Sequence, residues 1–266
     1  MKKVIHSLLD KAGFELVRSR APEGNMTSDG RLVLAPIRRT MAQALTHLRS
    51  LGYAPGTVVD VGAAHGTDEL LEAFPDAFFF WIEAAEEFEP QLQALRARYS
   101  GKVVMAAAGP KDGEITFHAH GFLYGSSVLK ESDGESADGE ERTVRMVDLD
   151  HLVEGHDLGR GPLLKIDVQG YELEVLSGAQ DLLAQCDVVI LETSFFRLHH
   201  GAPEFHEILL YMKERGFVAY DIFDGHNRPL DNALAQRDVL FVKENGRFRS
   251  SHEWATPEQR LRFSGQ

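Results

Sequence analysis

Eight residues, Lys165-Ile166-Asp167-Val168-Gln169-Gly170-Tyr171-Glu172, place a lysine and a carboxylate at the mouth of an otherwise apolar strand. Leu163, Leu164, Ile166 and Val168 supply the apolar positions, Gly170 breaks the strand, and Tyr171 to Ala179 reads as a helix. Strand periodicity puts Lys165 and Asp167 on one face and Ile166 and Val168 on the other. Charge inside such a strand carries a desolvation cost, so the pair reads as a site or an ion-pair network rather than surface decoration. Asp167 can accept a hydroxyl proton or orient the group that carries it, and Lys165 either supplies a positive field or pairs with an acid. Glu192, closing the next strand, adds a second carboxylate. Together Asp167 and Glu192 have oxygen chemistry that suits Mg²⁺, yet two acids do not assign a metal. His199-His200-Gly201 follows in a loop on the same side, either as an imidazole base or as a polar loop with satisfied histidines.

A second constellation lies earlier. Val58-Val59-Asp60-Val61-Gly62-Ala63-Ala64-His65-Gly66 is an apolar strand ending in a small-residue turn that feeds a helix. Gly62 and Gly66 permit tight curvature and close ligand approach, while the helix start offers unpaired amides. About twenty residues on, Glu83 closes Phe78-Phe79-Phe80-Trp81-Ile82 and can accept hydrogen bonds from both hydroxyls of a ribose. A dinucleotide dehydrogenase would want G-x-G-x-x-G, but Ala64 stands at the middle glycine. Asp60 would also repel a pyrophosphate while suiting a cationic or amino-acid-bearing cofactor.

The elements that must position these groups alternate. Strands are expected at Thr57 to Val61, Ala77 to Ile82, Lys102 to Ala107, Leu163 to Val168 and Asp187 to Leu191. Helices are expected at Thr40 to Leu51, Asp68 to Phe74, Phe88 to Tyr99 and Glu204 to Arg215. The βαβ spacing implies a parallel sheet covered by helices, with a ligand crevice at the strands' carboxyl ends. Glu114 to Ala119 alternates like a further strand, and Glu131 to Glu141 reads as an acidic surface loop. Phe217 to Ile222 and Asp238 to Lys243 close the sheet, the latter antiparallel. Phe195, Phe196 and Phe223 could wall an acceptor, with core packing as the rival reading. Phe122 and Tyr124 sit between glycines, where exposed rings suggest a ligand or subunit contact.

Composition narrows the partners. The 266 residues carry 28 basic against 41 acidic side chains, a net charge of −13 that disfavours nucleic acid and anionic membranes. Cys186 is the only cysteine, so neither an intrachain disulfide nor a multi-cysteine zinc site can form, and it reads as a core thiol. No stretch approaches the roughly 20 apolar residues that cross a bilayer. A cytoplasmic protein is the expectation. Residues 1–55 are expected as an N-terminal helical extension or lid that could support a homodimer. Residues 56–245 are expected as the main domain and 246–266 as a peripheral tail.

From about Thr57 to Val242 the chain resembles the FkbM-type family of S-adenosylmethionine-dependent O-methyltransferases. The resemblance rests on Val58 to Gly66, Glu83, Ala107-Ala108-Gly109 through Phe117, Gly125-Ser126-Ser127 and Leu149-Asp150-His151-Leu152. It is strongest over Lys165 to Glu172, and Glu192 and Asp238-Val239-Leu240-Phe241 complete it. Gln169 departs from the family pattern, which often has glutamate there. The resemblance implies a Rossmann-like class I methyltransferase fold, an α/β architecture whose mostly parallel seven-stranded sheet has helices on both faces. It implies S-adenosylmethionine as cofactor, held by Asp60, Gly62, Ala63, His65, Gly66 and Glu83, with Ala107 beside the adenine. It implies methylation of a hydroxyl on a small metabolite such as a sugar or polyketide, with Asp167, Lys165, Glu192 and His199 as catalytic candidates. A noncatalytic binding or scaffold protein on the same fold, and a nicotinamide oxidoreductase, are the alternatives.

Overall fold

The computed structural model describes residues 34–121, 125–132 and 139–263. The rings of Phe122 and Tyr124, the N-terminal residues before 34 and most of the acidic stretch after Glu131 lie outside them. A compact unit spans Arg38–Ser250, and a second unit joins Met1–Ile37 with Ser251–Gln266.

The larger unit opens with α1 (Met41–Ser50), whose first turn is capped by the Thr40 hydroxyl accepting from the Gln43 N–H. Although it falls within the expected N-terminal extension, α1 buries Met41, Ala44, Leu45 and Leu48 in the core of this unit. There follow β1 (Thr57–Val61), α2 (Asp68–Ala73), β2 (Phe78–Glu83), α3 (Glu89–Arg96) and β3 (Gly101–Met105). The chain then leaves the main sheet through β4 (Ala107–Ala108), β5 (Gly113–Ala119) and β6 (Glu140–Val147), a small three-stranded sheet ordered β4-β6-β5. Glu140 and Glu141, read as loop, belong to β6 and pair with Ala119 and His118. After α4 (Leu149–Val153) come β7 (Leu163–Ile166), α5 (Glu172–Ser177), α6 (Gln180–Gln185), β8 (Val188–Ser194), α7 (Phe205–Glu214), β9 (Phe217–Asn227) and β10 (Leu234–Lys243). In the second unit α8 (Pro257–Phe263) is described.

The main sheet is ordered β3-β2-β1-β7-β8-β10-β9, parallel except for β10, which runs antiparallel to both neighbours. Its strands are apolar on both faces because helices cover both. Val59, Val61, Ile82, Leu164, Ile166, Val189 and Leu191 meet α5, α6 and α7 on one side. Val58, Phe79, Trp81, Leu163, Val188 and Ile190 meet α1, α2 and α3 on the other. Cys186 is fully buried in the first layer, and burial pushes its thiol up, so it is an inert core residue.

The order reverses between β1 and β7. The crevice beyond the carboxyl ends of these two strands is the topological switch point, where open α/β sheets bind ligands. Two departures from regular structure shape it. Strand β7 stops at Ile166, two residues early, because Gln169 and Gly170 both take left-handed backbone at φ 55° and 98°. The helix expected from Tyr171 to Ala179 is α5, Glu172–Ser177, and a separate short helix, α6, follows at Gln180. Asp150, from the leucine-aspartate motif, accepts the Asp181 and Leu182 N–H groups at the start of α6.

Candidate active site

A cavity of about 440 Å³ opens at the switch point. It is within the range of small-molecule sites. One end is built largely from backbone. Gly62 turns the chain at φ 68°, and a Cβ there would lie 1.8 Å from the backbone oxygen of Asp167, so only glycine fits. Ala64 follows at φ 48° and donates its N–H to Glu83 Oε2 at 2.8 Å, while the Ala85 N–H reaches Oε1 at 2.8 Å. One carboxylate is thus held by one amide on each oxygen, leaving lone pairs facing the cavity. Burial raises the Glu83 pKa, against the opposing pull of those N–H groups. Ala106, Ala107 and Ala108 form a flat small-residue wall where β3 gives way to β4, with Phe88 and Phe117 beside it.

The other part of the lining is built from side chains. Asp167, Gln169, Glu192, His226 and Gln236 line it. Gln169 Nε2 donates to Asp167 Oδ1 at 3.0 Å and to Glu192 Oε2 at 2.6 Å. Gln236 Nε2 lies 3.1 Å from Gln169 Oε1, 2.9 Å from Glu192 Oε2 and 3.3 Å from the Ser194 hydroxyl. Burial first, then the carboxylates of Asp167, Glu172 and Asp238, push Glu192 well above the usual carboxylate range. Ser127, from the glycine-serine element, is buried and donates to the Gln169 carbonyl at 3.0 Å, which pins the left-handed turn.

Beneath this end Lys165 is 5% exposed, with Nζ 3.5 Å from Asp60 Oδ1 and 3.4 Å from Asp167 Oδ2. Burial alone would lower the lysine pKa, but Asp167, Asp60 and Asp238 together raise it, so it stays charged. Asp60 and Lys165 are register partners on adjacent strands, which explains the pairing. Removing one partner of such a buried pair costs about 3–5 kcal/mol.

Residues 60–219, more than half of the chain, match the family described as Methyltransferase FkbM domain. The chain belongs to this FkbM methyltransferase family. It is an S-adenosylmethionine-dependent O-methyltransferase. No curated protein matches the chain. Among solved structures it is similar to magnesium protoporphyrin IX methyltransferase from Synechocystis with bound S-adenosylmethionine, at 14% identity and TM-score 0.42 over 76% of each chain. It is also similar to an rRNA methylase from Streptococcus thermophilus, at 14% identity and TM-score 0.43 over 79% of this chain and 99% of that one.

Within this FkbM domain the structure divides the residues singled out in the sequence. Gly62, Glu83, Ala107, Asp167 and Glu192 line the cavity. Asp60, expected against the cofactor, does not: it is fully buried below the turn, where it pairs with Lys165 and accepts the Thr67 N–H at 3.3 Å. Ala63 packs in the core, His65 is exposed outside the cavity lining, and Gly66 gives α3 room, since a Cβ there would strike Leu95. Lys165 lies one layer behind the cavity wall. His199 is buried away from the cavity in a loop whose backbone bridges Glu131. The phenylalanine wall is also absent from the lining. Phe195 stacks on Phe205 at 4.6 Å, Phe196 lies under Arg228 and Phe223 is core.

Gln236 and His226 were not singled out in the sequence. Both depend on the β9–β10 hairpin, where Asp224 and Gly225 take left-handed φ and the register shifts twice between Leu234 and Asp238. A bulge of this kind has no alternation signal to read. His226 is exposed at the cavity, and its imidazole makes no hydrogen bond among the described residues. Among those residues no group of three or more His, Cys, Asp or Glu is arranged to hold a metal ion, and no helix is long and apolar enough to cross a membrane.

Proposed function

We propose that the protein methylates a hydroxyl oxygen of a small metabolite, such as a sugar or polyketide-type product, held at the side-chain end of the cavity. The observation that carries this is that Glu83 and Asp167 line one cavity at the switch point. The residues present fit the cofactor: a carboxylate braced for two hydroxyl donors, a glycine turn with no room for a side chain, and a flat alanine wall for a planar ring. Gly62, Ala64, Glu83 and Ala107 hold it in this reading. When bound, S-adenosylmethionine supplies a methyl group already activated by its sulfonium.

The chain's own task is alignment and proton handling. Asp167 accepts the hydrogen bond, and then the proton, of the acceptor hydroxyl, and Lys165 Nζ, 3.4 Å from its Oδ2, holds it from behind. Glu192 and Gln236 offer further polar contacts to a hydroxylated ligand. Asp60 acts through Lys165, as a positioning residue. His226 is the competing proton acceptor, because its imidazole lines the cavity without a hydrogen bond to another described residue. Within the larger unit, the expected domain of residues 56–245 is the catalytic module in this reading.

The test is calorimetry with S-adenosylmethionine and S-adenosylhomocysteine, followed by a screen of hydroxylated metabolites for transfer of a labelled methyl group. Binding of both, with label appearing on an oxygen of at least one compound, is expected. Absence of binding under several conditions would reject the cofactor site, and binding with label found only on nitrogen or carbon acceptors would reject the hydroxyl chemistry.

A further inference from the structure

Two carboxylates that share a cavity wall repel unless something positive stands between them. A metal ion, a shared proton or an N–H donor can do this. Between Asp167 and Glu192 the place is filled by the Gln169 amide nitrogen, 3.0 Å from one acid and 2.6 Å from the other. A single NH₂ group has two hydrogens, one for each acid. Its direction is fixed from behind, since Gln169 Oε1 accepts from Gln236 Nε2 at 3.1 Å and the backbone of Gln169 is held by Ser127. An amide turned the other way would aim its oxygen at two acids and its nitrogen at another donor. The left-handed φ of 55° at Gln169 is the backbone cost of this placement.

We propose that Gln169 is a positioning residue standing where a divalent cation would otherwise sit, so that Asp167 and Glu192 are held as a cation-free pair. An N–H donor cannot ligate a cation, and while it bridges the acids their shared inner side is closed to one. Replacing the amide by a carboxylate turns the same atoms into three converging oxygen donors, the set that hard divalent cations prefer. The claim rests on Asp167 and Glu192 belonging to the acceptor end, but its test requires no acceptor.

The experiment titrates Mn²⁺ into the full chain and follows the electron paramagnetic resonance signal of the free ion, with S-adenosylhomocysteine calorimetry on the same preparations. The natural protein should leave the free signal unchanged. Gln169→Glu should bind one Mn²⁺ at least about tenfold more tightly, and adding Asp167→Asn should abolish that binding. The proposal is overturned if the natural protein binds one Mn²⁺ that Asp167→Asn or Glu192→Gln removes. It is equally overturned if folded Gln169→Glu binds none. Should Gln169→Glu fail to fold, Gln169→Ala provides a second arm: with the amide gone Mn²⁺ should gain access and raise the melting temperature, and no such rise would overturn the proposal. If the natural protein fails to bind S-adenosylhomocysteine while the Mn²⁺ results hold, the cofactor reading fails and this one stands.

Discussion

The two ends of the cavity are made in different ways. At the glycine-turn end the backbone does most of the work: one carboxylate, Glu83, is gripped by two main-chain N–H groups, beside glycine, alanine and the rings of Phe88 and Phe117. At the other end Asp167, Gln169, Glu192 and Gln236 hold one another through side chains that come from two strands and an irregular turn. The first arrangement is preformed and tolerates few shapes of ligand. The second can be retuned one side chain at a time without moving the sheet.

If the ends are as separable as this contrast implies, Asp167→Asn should give the largest effect, lowering turnover about 10²- to 10⁴-fold while calorimetric affinity for S-adenosylhomocysteine stays unchanged. Loss of affinity in step with turnover would break the comparison. His226→Gln in the same assay sharpens it, because a larger loss there than in Asp167→Asn would move the proton to the imidazole. Glu83→Ala should do the reverse of Asp167→Asn, weakening cofactor affinity by about 10- to 100-fold with turnover at saturating cofactor largely kept. Equal affinity for the two proteins would remove Glu83 from the ribose.

The smallest effect concerns pH. Burial first, and then Asp167, raise Asp238 to about 7, and burial likewise raises Glu172 to about 7. The folded protein therefore binds more protons than the unfolded chain between the ordinary carboxylate value and about 7. Stability should fall as pH rises through that window and level off above it. Asp238→Asn should shrink the difference in melting temperature between about pH 5 and about pH 8, each kcal/mol being worth about 2–4 °C in a chain of this size. An undiminished difference would assign the effect to Glu172 or Glu192 instead.

The same contrast explains what could be read from the amino-acid sequence. Glu83 was legible because its position depends on local facts: an apolar strand, its last residue and a neighbour one register step away, Val61 opposite Ile82. Asp167 and Glu192 were legible as acids at strand ends for the same reason. The side of the sheet that Asp60 faces was also fixed by parity, since it points the way Val58 points, yet nothing local says that Lys165 lies directly across from it. Gln236 lies 67 positions along the chain from Gln169, in a hairpin whose register shifts erase alternation. The small sheet was only half visible, because β6 is polar along most of its length and pairs with β5 across the acidic stretch. In the sequence Gln169 stands out for the charge it lacks. Its function depends on the hydrogens it has.

The contact between the Gly62 turn and the Asp167 carbonyl bears on how variants of this enzyme can be interpreted. With no space for even a methyl group between these two stretches of main chain, they share a single mechanical tolerance. A replacement at position 62 displaces the carbonyl of Asp167, the proposed proton acceptor, together with the turn itself. Its phenotype will mix defects in donor binding and in chemistry, so genetic or screening data from that position cannot be apportioned to either half of the reaction.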